Sequence, residues 1–313
     1  MRQLIVLCML CASSFIFSQN IEVLKTYNED FVARSFAYSK NHYFARLSYN
    51  NQTIYIENLI HPKKRILIFS RENKGIKTMD FSTDEQYLAV GSYSGDIDIW
   101  DVANRKLFET KRVHQKDVNV VRFIPNSPFL ISAGSDGRIL LTKCDDFKLG
   151  TAQIGTHDGI VRSLDIFDDG KYAASVGGDN IIRLWDVFGR KQILQRKINS
   201  KGLSFIKTIK KINKTVVGDI DGNIYILNLD NLSLNRVLKT HNSIISSISY
   251  LNNEKVLISS YDGSLKVLDI KSYKYYNLHF ENKNAILYAL FFKTKITFTN
   301  RNKELKVIKI LDE

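Results

Sequence analysis

The sequence predicts an all-β protein built from seven similar four-stranded units, and three observations support this. The 313 residues are 44% hydrophobic, which is enough to fill a large core. Segments of alternating apolar and polar residues recur along the chain, each after a turn rich in glycine or aspartate. Their spacing is regular, and no helical periodicity of any length competes with it. A regular spacing of this kind is typical of the blades of a β-propeller.

The repeat is counted on the residue near the end of the third strand of each unit. These anchor residues are Glu57, Trp100, Thr142, Trp185, Leu227, Leu268 and Ile308, at intervals of 43, 42, 43, 42, 41 and 40 residues. Two alternating strands precede each anchor strand, and a further strand follows it, such as Lys191–Lys197 after Trp185. Each unit is therefore predicted to contain four antiparallel strands.

The first residues have a different character and predict a cleaved secretory signal at residues 1–18. Arg2 precedes an apolar run from Leu4 to Phe17, and the small residue Ser18 follows it. The run of about 14 residues is short for a membrane span, which needs about 20. An uncleaved anchor or a hydrophobic first strand remain alternatives. A lipoprotein signal is less well supported, because Leu10 precedes Cys11 where a small residue is expected.

Signal cleavage would export the chain to the periplasm or the exterior of a bacterium. The mature protein would keep Cys144 alone and form no internal disulfide. Its formal net charge would change from +13 to +12 through loss of Arg2 and remain basic. If the signal interpretation is wrong, an intracellular adaptor is the alternative.

The two ends of the mature chain predict how the ring closes. The seventh unit reaches its third strand at Leu305–Ile310, and the mature chain starts with an unpaired strand at Ile21–Lys25. Pairing this N-terminal strand onto the last blade would close the ring and cover an exposed sheet edge. We therefore expect residues 19–313 to form a single propeller.

With these repeats the chain resembles WD40-repeat β-propeller proteins over nearly all of residues 19–313. The resemblance is carried by the period, the constant His-to-Asp spacing, and the Trp-Asp endings at Trp100 and Trp185. The sequence departs from the family pattern in that only two of seven anchors are Trp. Val113, Thr156 and Thr240 also replace the glycine that precedes the family histidine. The resemblance implies a seven-bladed WD40-type propeller.

The resemblance also implies a hydrogen-bonded chain of four side chains inside a blade. The full set falls on His157, Ser175, Asp179 and Trp185, and partial sets fall on His114, Ser132 and Asp136, and on His241, Ser259 and Asp262. Ser, His and Asp also make up hydrolase triads. Here they are predicted to point into blade cores, without the strand-turn-helix context of a nucleophile, so a structural role is favoured and no catalytic residue is expected.

The sequence favours a non-enzymatic scaffold for protein–protein interaction. It contains no HExxH or CxxC ligand spacing and no phosphate-binding loop, so no metal and no cofactor are expected. One or more proteins are the expected partners; nucleic acid is disfavoured, and no membrane span is expected in the mature chain. The alternative is a propeller enzyme, or a binder of small ligands or polyanions, that uses the central channel or the basic face.

Two surfaces are candidates for partner contact. The family resemblance implicates the face where turns and inner-strand starts meet, which here carries Tyr93, Tyr261, Asp117, Ile160 and Ile244. Residues 187–218 contain nine basic and no acidic residues: Arg190, Lys191, Arg196, Lys197, Lys201, Lys207, Lys210, Lys211 and Lys214. This stretch is either a solvated face or a patch that binds an anionic partner.

Overall fold

The computed structural model describes residues 21–28, 35–47, 53–59, 65–69, 75–144, 150–252, 254–278 and 284–310. The predicted signal at residues 1–18 lies outside these ranges. The described residues form seven four-stranded antiparallel sheets arranged as the blades of a propeller. The predicted all-β class, the blade number and the strand number per blade are confirmed.

The first described strand precedes blade 1, and the blades then follow in chain order. This first strand is β1 (Ile21–Asn28). Blade 1 contains β2 (Phe36–Tyr38), β3 (Tyr43–Leu47), β4 (Thr53–Asn58) and β5 (Arg65–Phe69). Blade 2 contains β6 (Ile76–Phe81), β7 (Tyr87–Ser92), β8 (Asp96–Asp101) and β9 (Lys106–Arg112). Blade 3 contains β10 (Val118–Phe123), β11 (Phe129–Gly134), β12 (Arg138–Lys143) and β13 (Gly150–Thr156).

The second half of the chain repeats the same order. Blade 4 contains β14 (Val161–Phe167), β15 (Tyr172–Gly177), β16 (Ile181–Asp186) and β17 (Lys191–Lys197). Blade 5 contains β18 (Leu203–Ile209), a 3-10 turn (Lys210–Ile212), β19 (Lys214–Asp219), β20 (Asn223–Asn228) and β21 (Leu234–Lys239). Blade 6 contains β22 (Ile245–Tyr250), β23 (Lys255–Ser260), β24 (Leu265–Asp269) and β25 (Tyr275–Leu278). Blade 7 contains β26 (Ile286–Phe292), β27 (Lys295–Asn300) and β28 (Glu304–Ile310).

The β1 strand completes blade 7 and closes the ring. It pairs antiparallel with β28, from Ile21 opposite Ile310 to Asn28 opposite Glu304, with a bulge between Val23 and Lys25. The sheet order is therefore β1-β28-β27-β26, so this blade is built from both ends of the described chain. Closure by the N-terminal strand is confirmed.

Apolar side chains fill the gaps between neighbouring blades. The second strand of each blade is buried except at its first residue, and buried apolar side chains of neighbouring blades form seven hydrophobic clusters around the ring. At the closing junction, Phe36 and Phe44 of blade 1 pack with Leu305 and Val307 of blade 7. Because this junction is filled like the others, the propeller is a closed ring.

Glycine at the β19–β20 turn illustrates why the turns have their composition. Gly222 adopts φ +87°, where other residues are strained, and an added Cβ would lie 2.2 Å from the carbonyl oxygen of His241. This carbonyl oxygen lies so close because the amide of His241 donates a hydrogen bond to Gly222 O at 3.1 Å. The turn thereby fixes the loop that leads into the inner strand of blade 6.

Candidate functional site

The four residues of the full predicted set lie together in blade 4. The Nδ1 of His157 lies 2.9 Å from Asp179 Oδ1, and its Nε2 lies 2.7 Å from Ser175 Oγ. The indole Nε1 of Trp185 donates to the same Ser175 Oγ at 2.8 Å. Since the indole can only donate, the hydroxyl of Ser175 accepts from it and donates a hydrogen bond to Nε2 of His157, and Nδ1–H of the neutral imidazole donates to Asp179.

These hydrogen bonds link the strands of blade 4 in its buried interior. Ser175 is fully buried and its proton is already committed to the imidazole. Burial lowers the pKa of His157, which outweighs the opposite effect of the Asp179 carboxylate. Arg183 lies on the same buried side of the blade, although no sequence pattern singles it out, and its Nη1 donates to Asp179 Oδ2 at 2.5 Å.

Blade 3 contains a shorter version of this chain. The two ring nitrogens of His114 lie 2.9 Å from Asp136 Oδ1 and 2.9 Å from Ser132 Oγ. Thr142 stands at the position of Trp185, and its buried Oγ1 has no partner among the described residues. A threonine side chain is too short to reach the serine, so the series of hydrogen-bonded side chains in blade 3 ends at Ser132.

The predicted set in blade 6 is wrong at its serine. Strand register places Ile258 opposite Lys266, as Ser175 lies opposite Arg183, so Ile258 occupies the serine position. Ser259 points to the other face of the strand, where its hydroxyl bonds Ser246 and Ser247.

His241 consequently has different partners from the other two histidines. Its Nδ1 lies 2.8 Å from Thr240 Oγ1, and its buried Nε2 has no partner among the described residues. Asp262 still accepts hydrogen bonds from the backbone amides of Asn242 and Ser264. It therefore stabilises the turn but makes no hydrogen bond to the imidazole of His241.

Blade 1 replaces the serine and the tryptophan by a buried ion pair. Arg46 and Glu57 occupy those two positions, with Arg46 Nε 3.4 Å from Glu57 Oε1. Tyr27, on β1, donates its hydroxyl to Glu57 Oε2 at 2.8 Å. Burial alone raises the pKa of Glu57, but the hydrogen bond from Tyr27 and the charges of Lys25 and Arg46 hold it below its usual value.

A repeated backbone hydrogen bond builds the face that was predicted to contact partners. In blades 2 to 7 the residue after the second strand donates its amide to the carbonyl of the residue before the inner strand. The pairs are Tyr93 to Gly75, Ser135 to Asp117, Gly178 to Ile160, Ile220 to Gly202, Tyr261 to Ile244, and Arg301 to Ala285. These pairs ring one mouth of the central channel, so their side chains form a single surface.

Four of the five predicted contact residues line this mouth. Asp117, Ile160, Ile244 and Tyr261 border a cavity of about 640 Å³ that opens at this face. Tyr93 lies just outside the lining, with Lys77 Nζ 5.1 Å from its ring centroid. Ile160 and Tyr93 expose 42% and 40% of their surface at this face.

The cavity is bordered by more positive than negative charge. Among the described residues that line it, Lys77, Arg122 and Arg162 are basic and Asp117 is acidic. Lys77 is paired with Asp117 at 2.8 Å. A second cavity of about 300 Å³ opens at the far end of the channel, where Asp165 accepts hydrogen bonds from Lys207 and Thr208.

The nine basic residues of 187–218 do not form one patch. Strand β18 runs through the channel wall, so Lys201, which precedes it, lies at the mouth, and Lys210 and Lys211, which follow it, lie at the opposite face. Lys207 faces the channel and pairs with Asp165 at 2.7 Å. Arg196 and Lys197 end β17 at the mouth side, whereas Arg190, Lys191 and Lys214 lie at the opposite side. Strand direction therefore divides the predicted anion patch between two faces.

The described part of the chain holds no group of three or more His, Cys, Asp or Glu side chains arranged to bind a metal ion. It also has no helix with the length and apolar character needed to cross a membrane.

The repeats match known family models. The model of the WD domain, G-beta repeat, matches residues 150–186 and 232–269, and that of the Anaphase-promoting complex subunit 4 WD40 domain matches residues 36–126. Each G-beta match begins in or just before the outer strand of one blade and ends at the third strand of the next. The sequence repeat is thus offset from the blade by one strand, as ring closure by β1 requires.

Curated relatives are similar over parts of their length. A p21-activated protein kinase-interacting protein 1-like from Danio rerio is 26% identical over 62% of this chain and 51% of its own. The pre-rRNA-processing protein IPI3 of Scheffersomyces stipitis is 25% identical over 80% of this chain and 49% of its own. The anaphase-promoting complex subunit cdc20 of Dictyostelium discoideum is 29% identical over 44% and 27%. The chain spans about half or less of the length of these relatives. With the observed architecture and these matches, the chain is a seven-bladed β-propeller that contains WD40 repeats.

Proposed function

We propose that this propeller is a non-enzymatic scaffold whose protein partner docks over the channel mouth. The observation that carries the proposal is the exposure of Tyr93 and Ile160 around an open cavity on a rigid ring. Exposed aromatic and aliphatic side chains beside a pocket are typical of interface hot spots. One relative is named for its interaction with another protein, which is the kind of role we propose here.

A double substitution tests the docking face. Tyr93→Ala combined with Tyr261→Ala should reduce the partner recovered by affinity purification from the native cell-envelope fraction. Phe188→Ala combined with Tyr250→Ala is the matched control, because these aromatic residues are 48% and 37% exposed and lie at the opposite face. Both variants should keep the wild-type melting temperature. Equal recovery with both double variants would place the interface elsewhere.

Export is part of the same proposal. It is supported by the sequence of residues 1–18, in which Arg2 precedes an apolar run that ends before Ser18. N-terminal sequencing of the protein purified from its native cell should find a mature chain that begins near Gln19. An intact Met1 terminus would contradict export through a cleaved signal and favour an intracellular adaptor.

Binding of a small ligand in the channel is a second candidate, favoured by the size and positive lining of the 640 Å³ cavity. Native mass spectrometry of the purified protein distinguishes the two functions. A stoichiometric bound molecule that is lost on Arg122→Gln substitution would support ligand binding.

A further inference from the structure

The basic side chains at the channel mouth differ in whether an acidic side chain pairs with them. Lys77 is held by Asp117, whereas Arg162 forms no ion pair with any acidic side chain in the described ranges. Its one hydrogen bond there runs from Nη1 to the carbonyl oxygen of Leu203 at 3.3 Å. A guanidinium carries five N–H donors, so most of the donors of Arg162 face the cavity and solvent.

Arg162 lies at the junction between blades 4 and 5. Its guanidinium lies over Gly202, where an added Cβ would come within 2.9 Å of Nη1 and 3.3 Å of Ile220 Cδ1. The side chain is exposed, so its guanidinium is accessible to a partner at the mouth.

Three isoleucines line the same cavity as this cation, among polar lining residues such as Ser163 and Ser204. Ile160 lies two residues before Arg162, and Ile220 and Ile244 line the cavity from blades 5 and 6. A guanidinium that has no acidic partner and lies in a cavity with these isoleucines is complementary to a carboxylate that is itself flanked by apolar groups. If the bound segment of the partner were uniformly acidic, its charges would contact the isoleucines. If it were uniformly apolar, it would bury the guanidinium of Arg162 without a partner.

We propose that the protein partner inserts an aspartate or glutamate side chain, flanked by apolar residues, into the channel mouth, where its carboxylate binds Arg162. The inference deepens the proposed docking function and rests on it. The Nη and Nε donors of Arg162 would bind the two carboxylate oxygens, and the neighbouring apolar side chains of the partner would cover Ile160, Ile220 and Ile244. The carboxylate sets specificity, and the apolar contacts exclude water.

Selection from a displayed library of random twelve-residue peptides on the full chain tests this chemistry. The selected peptides should share one acidic residue next to Leu, Ile, Val or aromatic residues. Fluorescence anisotropy with the synthetic peptides should show affinity weakened on the order of ten- to a hundredfold by Arg162→Gln, as expected for a charge-assisted hydrogen-bonded pair. Replacing the peptide's Glu by Gln should weaken binding similarly, and the two changes together should cost less than their sum.

A control variant keeps the test independent of folding. Lys191→Gln removes the same charge from an exposed residue at the opposite end of blade 4 and should leave affinity within about twofold, apart from general screening effects.

The outcomes separate this inference from the proposed function. Selected peptides that lack acidic residues, or that bind Arg162→Gln as well as the wild type, overturn the carboxylate proposal. If such peptides still lose affinity for the Tyr93→Ala, Tyr261→Ala variant, the docking face stands and the inferred chemistry fails. If they bind this double variant unchanged, the docking face fails as well.

Discussion

At the scale of single residues, two tryptophans occupy the same position in blades 2 and 4 and differ in one hydrogen bond. Trp185 Nε1 donates to Ser175, whereas Trp100 Nε1 is buried with no partner among the described residues. The cause is the residue across the blade, since Val90 stands in blade 2 where blade 4 has Ser175. The hydrogen bond of the Trp185 indole therefore stabilises blade 4, whereas burial of the unpartnered Trp100 N–H lowers the stability of blade 2 through the free energy of its desolvation.

Replacing each tryptophan by phenylalanine measures this difference. Both changes remove similar volume, so Trp185→Phe should lower the free energy of unfolding by about 1 to 3 kcal/mol more than Trp100→Phe does. Equilibrium unfolding in urea, followed by far-UV circular dichroism, gives both values. Equal losses in the two variants would show that the hydrogen bond to Ser175 contributes nothing beyond packing.

Sequence spacing predicted the residues of blades 3 and 4 because the separation from His to Asp is 22 in both. In blade 6 it is 21, and counting from His241 selects Ser259, whereas counting back from Asp262 selects Ile258. The turn between β23 and β24 has the same length as its equivalent in blade 4, whereas the hairpin formed by β22 and β23 is shorter. The count back from Asp262 is therefore the correct one. Arg46 and Arg183 could not be predicted, because their contacts depend on strand pairing that the repeat alone does not specify.

At the scale of strands, β1 contributes more than backbone pairing to ring closure. Its Tyr27 and Lys25 reach into blade 1 and contact Glu57, whose carboxylate also meets Arg46. The N-terminal strand thus belongs to the sheet of blade 7 but forms polar contacts with blade 1. The pairing of β1 was predictable from the missing fourth strand, whereas this polar cluster was not.

Removing the hydroxyl of Tyr27 tests the cluster. Tyr27→Phe removes the shorter of the two hydrogen bonds to Oε2 of the buried Glu57 carboxylate and leaves that of Lys25 Nζ at 3.5 Å, so it should lower the free energy of unfolding by about 1 to 3 kcal/mol. Tyr55→Phe removes the same atom from a ring that also stacks near Arg46, at 4.8 Å from its guanidinium carbon, and should have a smaller effect. Urea denaturation of both variants gives the comparison, and identical losses would argue against a specific role for the Tyr27–Glu57 bond.

Deleting residues 19–27 tests closure itself. The edge of β28 would be uncovered and the blade 7 to blade 1 junction weakened, so we expect the melting temperature to fall by more than about 10 °C and aggregation to increase. A synthetic peptide of residues 19–28, added in excess, should partly restore the melting temperature of the shortened chain. A shortened chain that melts like the full one would show that β1 is not needed for closure.

At the scale of the whole molecule, three buried histidines make stability depend on pH. Burial lowers the pKa of His114, His157 and His241 in the folded protein, whereas the unfolded chain titrates near the ordinary value of 6.5. Below that pH the unfolded state binds more protons than the folded state, so the free energy of unfolding must fall as the solution is acidified. Above about pH 7 these groups are neutral in both states and add no slope.

His241 should contribute most to this acid sensitivity, because no aspartate hydrogen-bonds its ring and the charges of Lys266 and Lys239 oppose its protonation. His241→Leu should therefore reduce the drop in unfolding free energy between pH 7.5 and pH 5. Thr240→Val removes the hydrogen bond to Nδ1 but keeps the imidazole, so it should lower stability at both pH values and retain the wild-type dependence on pH. Urea titrations at the two pH values decide this, since an unchanged slope in His241→Leu would assign the acid sensitivity to other groups.

The imidazole of His241 is buried in the loop that leads into the inner strand of blade 6, and Ile244 at the end of this loop borders the channel mouth. Protonation of His241 should therefore also disturb docking at the mouth. Peptide affinity at the mouth should accordingly fall between pH 7.5 and pH 5 in the wild type and less in His241→Leu.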